Sequence, residues 1–98
     1  MAERERLPNR RRAELIDFEH DGRRWTATIG RFADRRVAEI FLDAPKASPI
    51  ADMAAAAAIV ASLALQGGCP LATLRHALSG RDVGPLGAAL AIVEGAQS

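Results

Sequence analysis

Thirteen residues from Met53 to Leu65 carry a single polar side chain, Ser62, and the residues flanking that run make it one helix. Ser48 can accept a hydrogen bond from an orphan backbone N–H, and Pro49 suits the first helical position. Asp52 puts an anion in the first turn, where the helix dipole favours it. Gly67-Gly68 then supplies residues that tolerate the left-handed conformation at a helix end. A chain of 98 residues builds a single core, so a helix with almost no polar face is expected at its centre. Ile50, Met53, Ala57, Val60, Ala61 and Ala64 mark one stripe, and Ile59 with Leu63 a second. This pattern predicts a sheet on one side and other helices around it. A bilayer span needs roughly 20 apolar residues, so the run reads as the buried helix of a soluble protein.

What the helix covers is written upstream. Ile16 and Phe18 alternate with Asp17 and Glu19, the period of a strand. Asp21-Gly22 follows, and Asp-Gly between two alternating runs is a strong hairpin signal because the turn needs positive φ. Trp25, Ala27 and Ile29 then alternate with Thr26 and Thr28. After a second turn at Ala33-Asp34-Arg35, Val37 to Asp43 forms a third strand with Ala38, Ile40 and Leu42 toward the core. Downstream, Pro70 opens a short helix with Leu71, Leu74, Ala77 and Leu78 on one side, ending at Ser79-Gly80. Gly84-Pro85 opens another, with Leu86, Ala89, Leu90 and Val93 at i, i+3, i+4, i+7. The expected fold is α+β: a three-stranded antiparallel meander, a central apolar helix and two shorter helices.

Charge is uneven along the chain. The net value is +1, yet residues 1–36 carry ten Arg against seven acids, while residues 37–98 carry three bases against five acids. Residues 1–13 lack apolar periodicity and read as a flexible charged arm, with the domain proper at 14–98. Arg10, Arg11 and Arg12 in the arm, with Arg23 and Arg24 after the hairpin, are the candidate contacts for phosphate or another polyanion. Glu3, Glu5 and Glu14 dilute that cluster, and the overall balance gives no general attraction to nucleic acid.

The string Arg6-Leu7-Pro8-Asn9-Arg10-Arg11 and the string Arg36-Val37-Ala38-Glu39-Ile40-Phe41-Leu42-Asp43-Ala44-Pro45-Lys46 resemble the C-terminal region of adenosylcobalamin-dependent (class II) ribonucleotide reductases. Ala58 through Leu71, including Gln66-Gly67-Gly68-Cys69-Pro70, and then Gly84-Pro85 continue the likeness in the same order. That region belongs to the TSCPD domain family, which includes small free-standing proteins. The resemblance implies the fold above and an accessory role, with a reductase or another protein as partner. Reductase chemistry resides in a large barrel that 98 residues cannot contain, and no reductase residue carries over. Two departures stand out: the chain ends without the cysteine-containing tail, and Arg35 follows Asp34 where an Asp-Gly turn is usual.

No catalytic set can be assembled from what remains. Cys69, at a helix start, is a candidate reactive thiol, since N-terminal N–H groups lower a thiol's pKa; the plainer reading is a small buried residue at a corner. A lone cysteine forms no internal disulfide, which fits a reducing cytoplasm, and it excludes a dithiol or zinc site. His20 and His76 have no ligand-spaced partners, so no metal or cofactor is expected. Asp17, Glu19 and Glu39 are expected on an exposed sheet face, in an ion-pair lattice with Arg23, Arg24, Arg31 and Arg36. Gly67-Gly68 lacks the spacing of a phosphate loop.

Two functions follow. The first is a non-catalytic accessory or binding module, for which the resemblance implies a setting in deoxyribonucleotide metabolism, that binds a protein, a nucleotide or a second copy of itself; small domains with one very apolar helix often complete their cores by pairing. The alternative is a nucleic-acid binder using the arginine arm and the exposed sheet face, with Arg4, Arg6, Arg10, Arg11, Arg12, Arg23 and Arg24 on phosphates and Trp25, if exposed, stacking a base.

Overall fold

The computed structural model describes residues 13–79 and 84–97. Strands β1 (Ala13–His20), β2 (Arg23–Arg31) and β3 (Val37–Asp43) form an antiparallel sheet in the order β1-β2-β3. Helices α1 (Pro49–Gln66), α2 (Leu71–Ala77) and α3 (Gly84–Gln97) follow. The expected α+β architecture is the observed one. The charged segment 1–12 lies outside the described residues, as does Gly80, while Ala13, placed in the arm by sequence, already belongs to β1.

The Asp-Gly hairpin forms as the sequence predicts. Asp21 and Gly22 have φ of 54° and 77°, the two positive values of a type I′ turn, and they set the register that pairs His20 with Arg23 and Phe18 with Trp25. At the second turn Arg35 takes φ of 77°, the conformation a glycine would adopt there without strain. The turn is closed by two backbone bonds between Phe32 and Arg36 and between Arg35 and Phe32, both 2.9 Å. A bulge at Gly30/Arg31 precedes it.

One sheet face carries Trp25, Ala27 and Ile29 of β2 with Ala38, Ile40 and Leu42 of β3, all buried; Ile16 and Phe18 of β1 pack on the same cluster. α3 closes this face on the β1 side with Ala89, Leu90 and Val93, all buried, and Leu86 partly so.

α1 does something different. Its buried residues are Ala54, Ala58, Ala61, Ser62, Leu65 and Gln66. The Ser62 hydroxyl accepts from Ile40 N–H and lies 2.9 Å from both Ile40 O and Ala58 O; Gln66 Nε2 donates to Ala38 O at 3.2 Å. Ile40 and Ala38 therefore turn backbone groups away from β2, along the free edge of β3, and α1 satisfies them. An uncovered strand edge is a liability, and here a helix covers it with two polar side chains one turn apart. The alanines allow the helix to come that close.

This reverses the stripes read from the sequence. Of the residues on the first stripe only Ala61 is buried, while Met53, Val60, Ile59, Leu63 and Ile50 are exposed. The physical reason is that the helix face must serve the polar edge of β3 through Ser62 and Gln66 while Ala54, Ala58, Ala61 and Leu65 meet the core.

Candidate functional site

Ser48 positions the start of α1 as anticipated, its Oγ accepting the Ala51 N–H at 3.1 Å. At the other end Gly68, with φ of 104°, supplies the left-handed residue while Cys69 N–H returns to Ala64 O at 2.9 Å. Between these stops the helix runs 18 residues, about 27 Å at 1.5 Å per residue. Its outward side carries Met53, Ala56, Val60 and Leu63, with Ile59 beside them. Met53 is 73% exposed and Val60 67%. The spacing is three, four, three, the seam that one helix presents to another in a left-handed pair. Asp52 is the only ionisable residue in the whole helix. Monomers rarely leave so continuous an apolar surface in water.

A second feature lies where α1 begins. Arg23, Arg24 and Trp25 of β2 meet Ala44, Pro45, Lys46, Ser48 and Ile50 around a groove of about 230 Å³. Trp25 is 2% exposed, and its Nε1 is buried without an acceptor. The base-stacking surface expected of Trp25 does not exist, because alternation along β2 turns the indole inward, opposite Phe18.

The sequence matches the TSCPD domain model over residues 3–94. The chain belongs to the TSCPD family. No curated protein and no solved structure matches it.

Within this TSCPD domain Cys69 sits at the corner between α1 and α2, partly exposed, with Sγ 3.7 Å from Pro70 O. It lines a groove of about 290 Å³ together with Phe32, Arg36, Val37, Leu65 and the first residues of α2. Among the described residues no histidine or carboxylate lines that groove, so none of them offers the thiol a base. His76 is exposed, and its carbonyl accepts the Ser79 hydroxyl at 2.7 Å. His20 is half-buried at the far end of the sheet. Among the described residues no group of three or more His, Cys, Asp or Glu is placed to hold a metal ion.

The arginines divide. Arg10, Arg11 and Arg12 lie outside the described residues, whereas Arg23 and Arg24 come together at the groove beside α1. The expected lattice on the sheet takes other partners. Arg31 Nε pairs with Glu14 Oε1 at 2.5 Å, and this hydrogen bond, ahead of the Coulombic pull of Arg31 and Arg35, holds the Glu14 carboxyl below its ordinary value. Asp34 accepts from Arg36 N–H at 3.1 Å and from Arg36 Nε at 2.7 Å, and the backbone bond first, then the side-chain bond, lowers its pKa. Arg36 also lies over the Phe32 ring, 4.8 Å from its centroid. Asp17 accepts from the Thr26 hydroxyl at 2.7 Å. Glu39, expected in solvent, is buried: it lies over Gly30, and a Cβ added there would come within 2.6 Å of Glu39 Cγ.

Sequence reasoning missed the outward seam because it took the large apolar residues of α1 for the core side. Two signals could have found it. Ser62 and Gln66 stand four apart in an otherwise apolar helix, marking a buried face that must make hydrogen bonds. Met53, Ala56, Val60 and Leu63 repeat at heptad spacing.

Proposed function

We propose that this TSCPD chain is a non-catalytic assembly module that pairs with a second copy of itself through the outward seam of α1. The observation that carries this reading is the exposure of Met53, Ile59, Val60 and Leu63 along one uninterrupted helix face. Heptad spacing fits another helix better than a strand or a flat surface. A twofold interface must be self-complementary, and a face with no charge beyond Asp52 meets its own copy without repulsion. Antiparallel packing suits it best, since it separates the two Asp52 carboxylates and opposes the helix dipoles. A lipid surface is the weaker occupant. Interfacial helices carry Lys or Arg on their polar face, and α1 has neither.

The collinear resemblance to the C-terminal region of class II ribonucleotide reductases supports a place beside deoxyribonucleotide synthesis, with the paired module docking on a reductase. The alternative of nucleic-acid binding through a stacked base has lost its aromatic platform, since Trp25 is buried.

Sedimentation at 1 to 100 µM (roughly the range of moderate homodimer affinities) tests the pairing. A species of twice the chain mass is expected, and Val60→Glu should return it to a single chain with its circular dichroism unchanged. A single chain at every concentration overturns the proposal, as does pairing that Val60→Glu leaves intact. Flotation of the unaltered chain with anionic vesicles, without pairing, would assign the face to a membrane instead.

A further inference from the structure

We infer that the outer face of the sheet docks this chain's own residues 1–12, an arginine-rich segment that lies outside the described residues. That face is separate from the outward seam of α1, so the inference stands apart from the pairing proposed above.

All three helices add side chains to the cluster on the inner face. Strand pairing sets out the opposite face in rows. Ala13, Gly30 and Glu39 stand abreast, then Leu15, Thr28 and Phe41, then Asp17, Thr26 and Asp43. The middle row is open and largely apolar, with Leu15 71% and Phe41 44% exposed. Around it stand four carboxylates, Asp17, Glu19, Glu39 and Asp43, against one cation, Arg24. None of Asp17, Glu19 and Asp43 is ion-paired with a described residue. Such a face repels a phosphate backbone and its own copy alike, since either brings like charge against it. It suits a cationic segment.

Glu39 marks where that segment begins. A buried carboxylate calls for a cation or donors beside it. Glu39 is 8% exposed, on a face that no described helix covers. Its side chain lies across Gly30, where an added Cβ would meet Glu39 Cγ and Oε1 at 2.6 Å, and so it runs over β2 toward Ala13. The chain enters the sheet at Ala13, and Arg10, Arg11 and Arg12 immediately precede it. Gly30 makes room for the carboxylate, and the row directs it at the arginines.

Charge and length agree with this placement. Residues 3–12 carry five arginines against Glu3 and Glu5, a surplus of three that matches the face's excess of three carboxylates. Leu7 supplies an apolar side chain for Leu15 and Phe41. Pro8-Asn9 has the chemistry of a turn, by which a chain entering β1 can double back over the sheet. Asp17 lies four residues along β1 from Ala13, roughly 13 Å, and twelve extended residues span up to roughly 40 Å. Tethering gives a local concentration of about 1 mM or more, so pairs that are individually weak at a surface act together. Docked there, the arginines are withheld from polyanions.

Paramagnetic relaxation in the full chain tests the docking. A nitroxide is attached through Glu5→Cys in a Cys69→Ser background, and amide broadening is compared across the molecule. Leu15, Thr28 and Phe41 are expected to broaden more than Ala54 and Leu90, which lie on helices behind the sheet. Salt at about 1 M, where the screening length is about 3 Å, should relieve the effect. The triple variant Arg10→Gln, Arg11→Gln, Arg12→Gln and, separately, Glu39→Gln should each at least halve it, with circular dichroism unchanged. The triple variant alters no described residue, so it decides the matter even where Glu39→Gln disturbs the fold. Broadening without preference for the outer face overturns the inference, as does preferential broadening that the triple variant leaves undiminished. Broadening seen only when nitroxide-bearing chains are mixed with isotope-labelled chains lacking the nitroxide also overturns it, assigning the face to a neighbour's segment. Loss of pairing in Val60→Glu leaves the broadening in place, so the two proposals fail separately.

Discussion

α1 and α3 have much the same composition, rich in alanine with scattered Leu, Ile and Val, yet they meet the sheet by different rules. α3 buries Ala89, Leu90 and Val93 against side chains of the sheet's inner face, with Ile92 left on its outer side. α1 buries three alanines and Leu65 with the polar Ser62 and Gln66, and leaves Met53, Val60 and Leu63 in water. The difference lies in what each helix touches. α3 packs on a surface of side chains, where volume and apolar area decide the fit. α1 shares that core through Ala54, Ala58, Ala61 and Leu65 and also packs on the backbone edge of β3, where close approach and hydrogen-bond satisfaction decide the fit. Hydrophobicity alone does not say which side of a helix is buried when its neighbour is a strand edge.

Paired truncations break or sharpen this contrast, and the largest effect belongs to α3. Leu90→Ala removes a fully buried side chain and should lower stability by about 2–5 kcal/mol. Val60→Ala, at the same kind of position by sequence but 67% exposed, should change the dilute monomer by less than about 0.5 kcal/mol. Urea unfolding followed by Trp25 fluorescence measures both. Similar losses for the two variants at dilute concentration would remove the distinction between the helices.

Ser62 gives the next effect. Ser62→Ala strips the buried Ile40 of its side-chain partner on both N–H and C=O, and a loss of about 1–3 kcal/mol is expected from the unsatisfied groups. Amide exchange at Ile40 should accelerate relative to Ile29 in the same variant. A stability loss below about 0.5 kcal/mol would mean that Ser62 is only a small residue filling space, and that α1 and α3 follow one rule after all.

How legible these features were follows from the range of the interactions behind them. The meander could be read because its determinants are local: Asp21-Gly22 fixes a turn, and alternation at Trp25, Ala27 and Ile29 fixes a face. The α3 stripe was legible for the same reason. The burial of Trp25 is written in the same alternation, and it removes the exposure on which base stacking depends. The orientation of α1 depends on Ile40 and Ser62, 22 residues apart, and helical periodicity carries no information about a distant strand edge. The groove at Arg23, Arg24 and Lys46 was half legible. The arginines stood out as a pair, but only the folding of Ala44-Pro45-Lys46 back across the start of β2 brings Lys46 to the same groove.

The contrast between buried and open contacts extends to polar pairs, and here the smallest effect is expected. Ser62 acts in the interior, whereas Glu14 and Arg31 meet at the sheet margin, with the Glu14 side chain 42% exposed. Water screens such a pair, so Glu14→Gln should reduce stability at neutral pH by about 1 kcal/mol at most. The direction with pH follows from the lowered Glu14 pKa. The folded chain binds that proton less readily than the unfolded chain, so the contribution is fully present above the ordinary value of 4.5. It disappears as pH falls through the lower folded value. Unfolding midpoints of parent and Glu14→Gln should therefore differ by a constant amount from pH 6 to 8, roughly the range in which a carboxylate stays ionised, and converge below the ordinary carboxylate range. A gap that persists at low pH would show that Glu14 contributes through packing against Arg31 and that its charge is incidental.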